Sequence, residues 1–129
     1  MASKKLPFET FELPKEYLNA AYELLKYALE VRGVKRGTNE TTKAIERGQA
    51  KLVYIALDVD PPEIVAHLPL LCKERKVPYI FVPSKEELGR RAGIDVAAAS
   101  ACVIDPGEGK KILDEIIAYL KKQKIFEWL

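Results

Sequence analysis

The chain is poor in the residues that most often do chemistry. Among 129 residues there is one histidine, His67, and two cysteines, Cys72 and Cys102. Neither cysteine has a Cys or His at metal-ligand spacing, which excludes a structural zinc site, and a lone histidine in an apolar stripe offers no Ser-His-Asp or Cys-His pairing. His67 is therefore read as a helix-packed histidine with its hydrogen bonds satisfied. No run of about 18 apolar residues exists for a membrane span, and Met1 to Pro14 lacks the apolar core of a signal peptide. These absences predict a cytoplasmic protein with no membrane partner, and in that compartment both cysteines are expected to be reduced core residues. Charge of one sign is also missing. Lys plus Arg total 21 against 19 acidic residues, a formal net charge of +2, so any nucleic-acid contact has to be local and shaped rather than broadly electrostatic.

What is present is apolar patterning. Hydrophobic residues make up 48% of the chain, sufficient for one domain with a real core and too short for two. The spacing of Leu18, Ala21, Tyr22, Leu25, Ala28 and Leu29 predicts a helix over 14–31, with Pro14 near its start and Gly33 just past its end. After Val34-Lys35-Arg36, Gly37 begins a loop, Thr38 is the expected N-cap of a second, polar helix to about Arg47, and Gly48 stops it. Lys51 to Leu57 reads as a buried strand. Ile64, Val65, Leu68, Leu71 and Cys72 mark a helix over 63–76 that Pro69 kinks or divides. Tyr79 to Val82 is a second strand, Ser84 caps a short helix to about Arg91, and Gly93 breaks it. A loop follows, then a strand over 99–104 and a helix over 110–122. Alternation of this kind predicts an α/β fold, a three-layer α/β/α sandwich around a small mixed sheet of about four strands. Residues 1–14 form an extension, and Ile125-Phe126-Glu127-Trp128 is a tail apolar enough to dock on something.

Gly107-Glu108-Gly109-Lys110-Lys111 invites a phosphate-loop reading, but that loop needs Gly where Ile104 stands and Ser or Thr where Lys111 stands. It is read as a turn before a helix. Asn39-Glu40-Thr41 matches a glycosylation sequon and is discarded as chance. Asp58 and Asp60, just past a buried strand, are the best enzymatic hint, since carboxylates there can hold magnesium or supply a nucleophile and an acid. A small acid-dependent phosphohydrolase would need further groups on later strands, where only Ser84, Lys85 and Asp105 are offered.

Two segments stand out. Between Arg32 and Lys51 the chain carries Arg32, Lys35, Arg36, Lys43, Arg47 and Lys51 against Glu40 and Glu46, a local excess of four positive charges. Gly37 allows close backbone approach, and free N–H groups at the following helix start can hold phosphate or base acceptors. Asn39, Glu40 and Lys43 share a helix face. A glutamate in a basic face repels phosphate, so its use is to accept from base-edge N–H groups, with Asn39 donating and accepting beside it and Lys43 donating. The same residues also suit a capped, solvated surface helix. The second segment, Gly93-Ile94-Asp95-Val96-Ala97-Ala98-Ala99, is apolar where a polar loop is expected. Ala97 to Ala99 can begin the next strand, whereas Ile94 and Val96 suit a surface on which an extruded base lies.

The run Lys35-Arg36-Gly37-Thr38-Asn39-Glu40-Thr41-Thr42-Lys43, followed by Asp58-Val59-Asp60-Pro61-Pro62-Glu63-Ile64-Val65 and His67-Leu68-Pro69-Leu70-Leu71-Cys72, resembles the archaeal large-subunit ribosomal proteins of the kink-turn-binding family. The resemblance spans about residues 15 to 120. It implies a protein that is not an enzyme, needs no cofactor, and binds kink-turn and kink-loop RNA in the ribosome and in box C/D and H/ACA guide ribonucleoproteins, in some members also ribonuclease P RNA. Further ribonucleoprotein partners would assemble on that RNA. By similarity, Gly37, Asn39, Glu40 and Lys43 engage tandem sheared G·A pairs, with Thr38 also in the RNA-binding surface and Lys35 and Arg36 near the RNA backbone. Asp60, Ile64 and Lys85 line the pocket of a flipped-out nucleotide, and Ile94, Asp95, Val96, Ala97 and Ala98 cap it. The sequence departs from the family pattern at Ala97, where proline is common, and at Val96, where some relatives have arginine. A protein-interaction module acting through the tail is the remaining alternative.

Overall fold

The computed structural model describes residues 6–129, and the first five residues of the expected extension lie outside the described residues. Five helices and four strands alternate: α1 Lys15–Glu30, β1 Val34–Arg36, α2 Thr38–Glu46, β2 Leu52–Ala56, α3 Leu68–Arg75, β3 Tyr79–Val82, α4 Lys85–Arg91, β4 Ser100–Val103 and α5 Lys110–Lys122. Single 3-10 turns at Pro62–Val65 and Gly107–Gly109 precede α3 and α5. The four strands form one mixed sheet in the order β1-β4-β2-β3. β3 runs parallel to β2, and β4 runs antiparallel to both β1 and β2.

β2 is buried at every position, as its unbroken apolar run requires of a strand covered on both faces. Alternation along the strands sorts the layers. Tyr54 donates its hydroxyl to the Ala21 carbonyl of α1 at 2.7 Å, which puts its neighbours in register, including Ala101, on the side of α1, α4 and α5. Val53 is opposite Cys102, and α2 packs on β4 and on α3, so the other face is covered by α2 and α3. This is the expected sandwich. Cys72 and Cys102 are free and buried, and burial pushes each thiol up to about 12.

Several local expectations change. Val34–Arg36 is a strand, because its three residues pair with Ala101–Val103 across the sheet rather than by any local pattern. The helix expected over 63–76 is divided, with Pro69 in the first turn of α3, where its missing N–H is harmless. Gly37, not Thr38, is the N-cap of α2. The left-handed residue after α1 is Arg32, with φ 57°, while the Gly33 N–H closes onto the Ala28 carbonyl at 2.7 Å. His67 is exposed rather than packed in an apolar stripe, and its Nε2 is 2.8 Å from the Thr42 hydroxyl. The glycine-rich Gly107–Gly109 segment is a turn leading into α5 and packs against α1.

The extension and the tail close one side of the sheet. Phe8 stacks on Phe81 with ring centroids 5.9 Å apart, and Phe11 meets Phe81 edge-on at 5.1 Å. From the other terminus Phe126 lies 4.6 Å from Tyr79 and 4.6 Å from Trp128, and 5.8 Å from Phe11. Tyr79 and Phe81 pair with Val53 and Ile55 and so face the α2/α3 side, whereas α1 and α5 cover the opposite side. Both terminal segments therefore pack on β3, the strand at the margin of the sheet. Among the described residues no helix is long and apolar enough to cross a membrane, and no group of three or more His, Cys, Asp or Glu residues could hold a metal ion.

Candidate nucleic-acid interface

The antiparallel pairing of β1 with β4 brings the end of β1, the start of α2 and the loop before β4 to one end of the sheet. Gly37 makes the turn with φ 89° and ψ 151°, a conformation essentially confined to glycine. Its N–H donates to the Ser100 carbonyl at 2.9 Å, and its carbonyl accepts from the Thr41 N–H at 2.9 Å. A side chain built at Gly37 meets nothing within 4 Å, so the turn presents bare backbone to open space. With no side-chain cap on α2, the N–H groups of Thr38, Asn39 and Glu40 precede the helix's own acceptors and form a donor cluster at its positive end. The Thr38 hydroxyl is 3.1 Å from that of Ser100, which orients the turn on the buried strand.

Beside this turn is a cleft of about 460 Å³ lined by Arg36, Gly37, Thr38, Asn39, Ile64, Ile94 and Val96 to Ala99. Nine of the residues singled out from the sequence meet here: Arg36, Gly37, Thr38, Asn39, Ile64, Ile94, Val96, Ala97 and Ala98. Ile64 is 43% exposed and Val96 65% exposed, so the cleft offers apolar surface to a ligand rather than to the core. Glu40 and Lys43 stand outside it on the open face of α2, 3.9 Å apart and more than half exposed. At this exposure the pair is worth little to stability, which leaves both side chains available. Lys35 is half-buried on the α2 side of the sheet, level with Cys102. Asp60 is exposed, in a cis peptide with Pro61. Asp95 faces a neighbouring hollow of about 400 Å³ with Glu86 and Arg90.

Three side-chain contacts hold this arrangement. Arg36 Nε donates to the Ala92 carbonyl at 2.9 Å, placing a cation at the end of α4, where helix carbonyls are unsatisfied. Ser84 Oγ caps α4 by accepting from the Glu87 N–H at 3.1 Å. Asp58 Oδ1 accepts from the Lys85 N–H at 2.8 Å, giving one of the two carboxylates considered for hydrolysis a structural use at the same helix start. Neither Lys85 nor Asp60 is among the residues lining the cleft; Lys85 is tied to it by its backbone, the carbonyl accepting from the Ala98 N–H at 2.9 Å.

Residues 19–113 match the model of the Ribosomal protein L7Ae/L30e/S12e/Gadd45 family. The chain belongs to that family. Among solved structures it is similar to a Giardia lamblia protein described as a 15.5kD RNA binding protein, at 36% identity and a TM-score of 0.80, covering 92% of this chain and 95% of that one. The L7Ae-family fold and the mixed four-strand sheet agree with the expectation from sequence. Sequence reasoning missed the Arg36–Ala92 bond, the Ser100 partner of Gly37 and Thr38, and the role of Asp58, because each joins residues 27 to 63 positions apart with no local pattern. It also passed over Gly89, which could have been noticed as a glycine inside a helical pattern.

Proposed function

We propose that this chain binds kink-turn and kink-loop RNA, acting in the large ribosomal subunit and in box C/D and H/ACA guide ribonucleoproteins, with ribonuclease P RNA as a further target. The carrying observation is the union, in one cleft, of the bare Gly37 turn and the donor-rich start of α2 with the apolar Ile64 and Ile94-to-Ala98 surfaces. Polar donors and acceptors on one wall suit exposed base edges, and apolar surface on the other suits a nucleotide taken out of the stack. The printed description of the Giardia relative as an RNA binding protein supports the same reading.

On this reading Gly37, Asn39, Glu40 and Lys43 recognise tandem sheared G·A pairs. Thr38 holds the turn, and Lys35 and Arg36 stand near the RNA backbone. Asp60, Ile64 and Lys85 border the extruded nucleotide, and Ile94, Asp95, Val96, Ala97 and Ala98 close over it. Binding the bent form preferentially shifts the RNA's own equilibrium toward it, which nucleates assembly of partner proteins. Residues 1–129 act as one RNA-binding domain in the cytoplasm, with no cofactor and no catalytic step. Binding to a short RNA with a three-nucleotide bulge beside tandem G·A pairs, against the same RNA with Watson-Crick pairs in their place, tests the reading. Tight binding to the first and weak binding to the second is expected. Equal weak binding to both would overturn it.

A further inference from the structure

Gly89 lies within α4, where alanine would be the better helix former. Its lack of a side chain has a different use. A Cβ there would overlap the carbonyl oxygen of Val96 and come within 3.0 Å of the Val96 carbonyl carbon and 3.1 Å of the Ala98 nitrogen. The loop is laid against the helix backbone at this point, and two hydrogen bonds fasten it on either side: Ile94 N–H to the Gly89 carbonyl at 3.0 Å, and Ala98 N–H to the Lys85 carbonyl at 2.9 Å. Between them Ala97 has too little side chain to hold the loop in shape, and Val96 projects outward, 65% exposed, over the cleft. The position of the apolar wall is therefore set by how closely α4 lets the loop approach.

We propose that Gly89 is a positioning residue for ligand selection: by seating the loop on α4, it fixes where Val96 and Ala97 stand, and so decides how the cleft grips an extruded base. The inference rests on the RNA-binding reading above. A methyl group at position 89 would lift the loop away from α4 while leaving Gly37, Asn39 and Glu40 untouched.

The test compares wild type, Gly89→Ala and Val96→Gly on the bulged G·A RNA, on its Watson-Crick control, and on versions made abasic at each bulge position in turn. For wild type, removing the base at one bulge position should weaken binding about tenfold or more. For Gly89→Ala that penalty should shrink to about threefold or less while the dependence on G·A pairs persists. In the same variant the Ile94 and Ala98 amides should exchange faster, with β4 amides unchanged. Val96→Gly, which removes the apolar wall that Gly89 seats while leaving α4 unaltered, should show the same reduced penalty; a full penalty in this variant would leave Gly89 nothing to position and overturn its role, so the idea remains testable if Gly89→Ala folds poorly. A wild-type abasic penalty retained in full by both variants overturns the role of Gly89 while leaving the RNA reading intact, as does loss of G·A dependence together with the abasic contrast. Wild-type binding that ignores the G·A pairs would instead remove the reading on which the proposal stands.

Discussion

Replacing Gly37 with alanine separates two quantities that usually change together, the stability of the free protein and its affinity for ligand. With φ 89° and ψ 151°, an alanine here is expected to cost about 1–3 kcal/mol of backbone strain. No steric clash adds to this, because a side chain at this position has nothing within 4 Å. The backbone cannot easily relax, since both flanking peptides are fixed by the 2.9 Å bonds to the Ser100 carbonyl and from the Thr41 N–H. For a chain of this size each kcal/mol lowers Tm by about 3–5 °C, so thermal unfolding should move down by roughly 3–15 °C. The strain is the same in free and bound protein and cancels from the affinity. Any weakening of RNA binding beyond it therefore reports the methyl group standing where the RNA approaches, and a loss of about tenfold or more is expected for a close backbone contact. Calorimetric unfolding and RNA titration on the same preparation measure both. A lowered Tm with unchanged affinity would show that the open side of Gly37 is not the side from which RNA comes, and would refute the role given to this turn.

Glu40→Ala should weaken binding to G·A-containing RNA without changing its salt dependence, whereas Lys43→Ala should shallow the salt slope by about one unit if the lysine meets phosphate; titrations at several salt concentrations distinguish them. Asp58→Ala removes the acceptor for the Lys85 N–H and should cost about 1 kcal/mol in urea unfolding, with Asp58→Asn losing less because it keeps an acceptor oxygen. Phe126→Ala, which empties a buried position between Tyr79, Trp128 and Phe11, should cost about 3 kcal/mol in the same assay. The two cysteines set an alkaline limit. Burial holds their folded pKa up at about 12, above an unfolded value of about 8.5, so their contribution is complete below about pH 8.5 and is lost as pH rises toward 12. Urea midpoints should fall across that range less steeply in a Cys72→Ala, Cys102→Ala double variant than in wild type.

The layered fold was legible because each long element carries its own period: the α1 and α5 stripes and the unbroken run of β2 need no partner to be recognised. β1 was not, since three residues with one buried side chain carry no period, and only β4 makes them a strand. The α2 turn was legible in outline from Gly37 and the basic surroundings, although its cap falls one residue earlier than expected, because Gly37 holds the non-helical conformation and Thr38 is already helical. For the loop, Ile94 and Val96 were recognisable as apolar residues out of place. What holds them in place was not, because hydrogen bonds from a loop to a helix backbone leave no trace in side-chain composition.

Sheets can grow by adding strands at their open margins, and neither margin of this one, β3 or β1, is a long bare strand with nothing beside it. On the β3 side, Phe8 and Phe11 from one terminus and Phe126 from the other pack on the strand's aromatic side chains and on each other. On the β1 side the strand is only three residues long and carries Lys35 and Arg36, a poor template for an incoming chain. Strand addition is thus a poor route for a second protein to this sheet, and helix surface, such as that around the 62% exposed Leu70 of α3, is the more open ground.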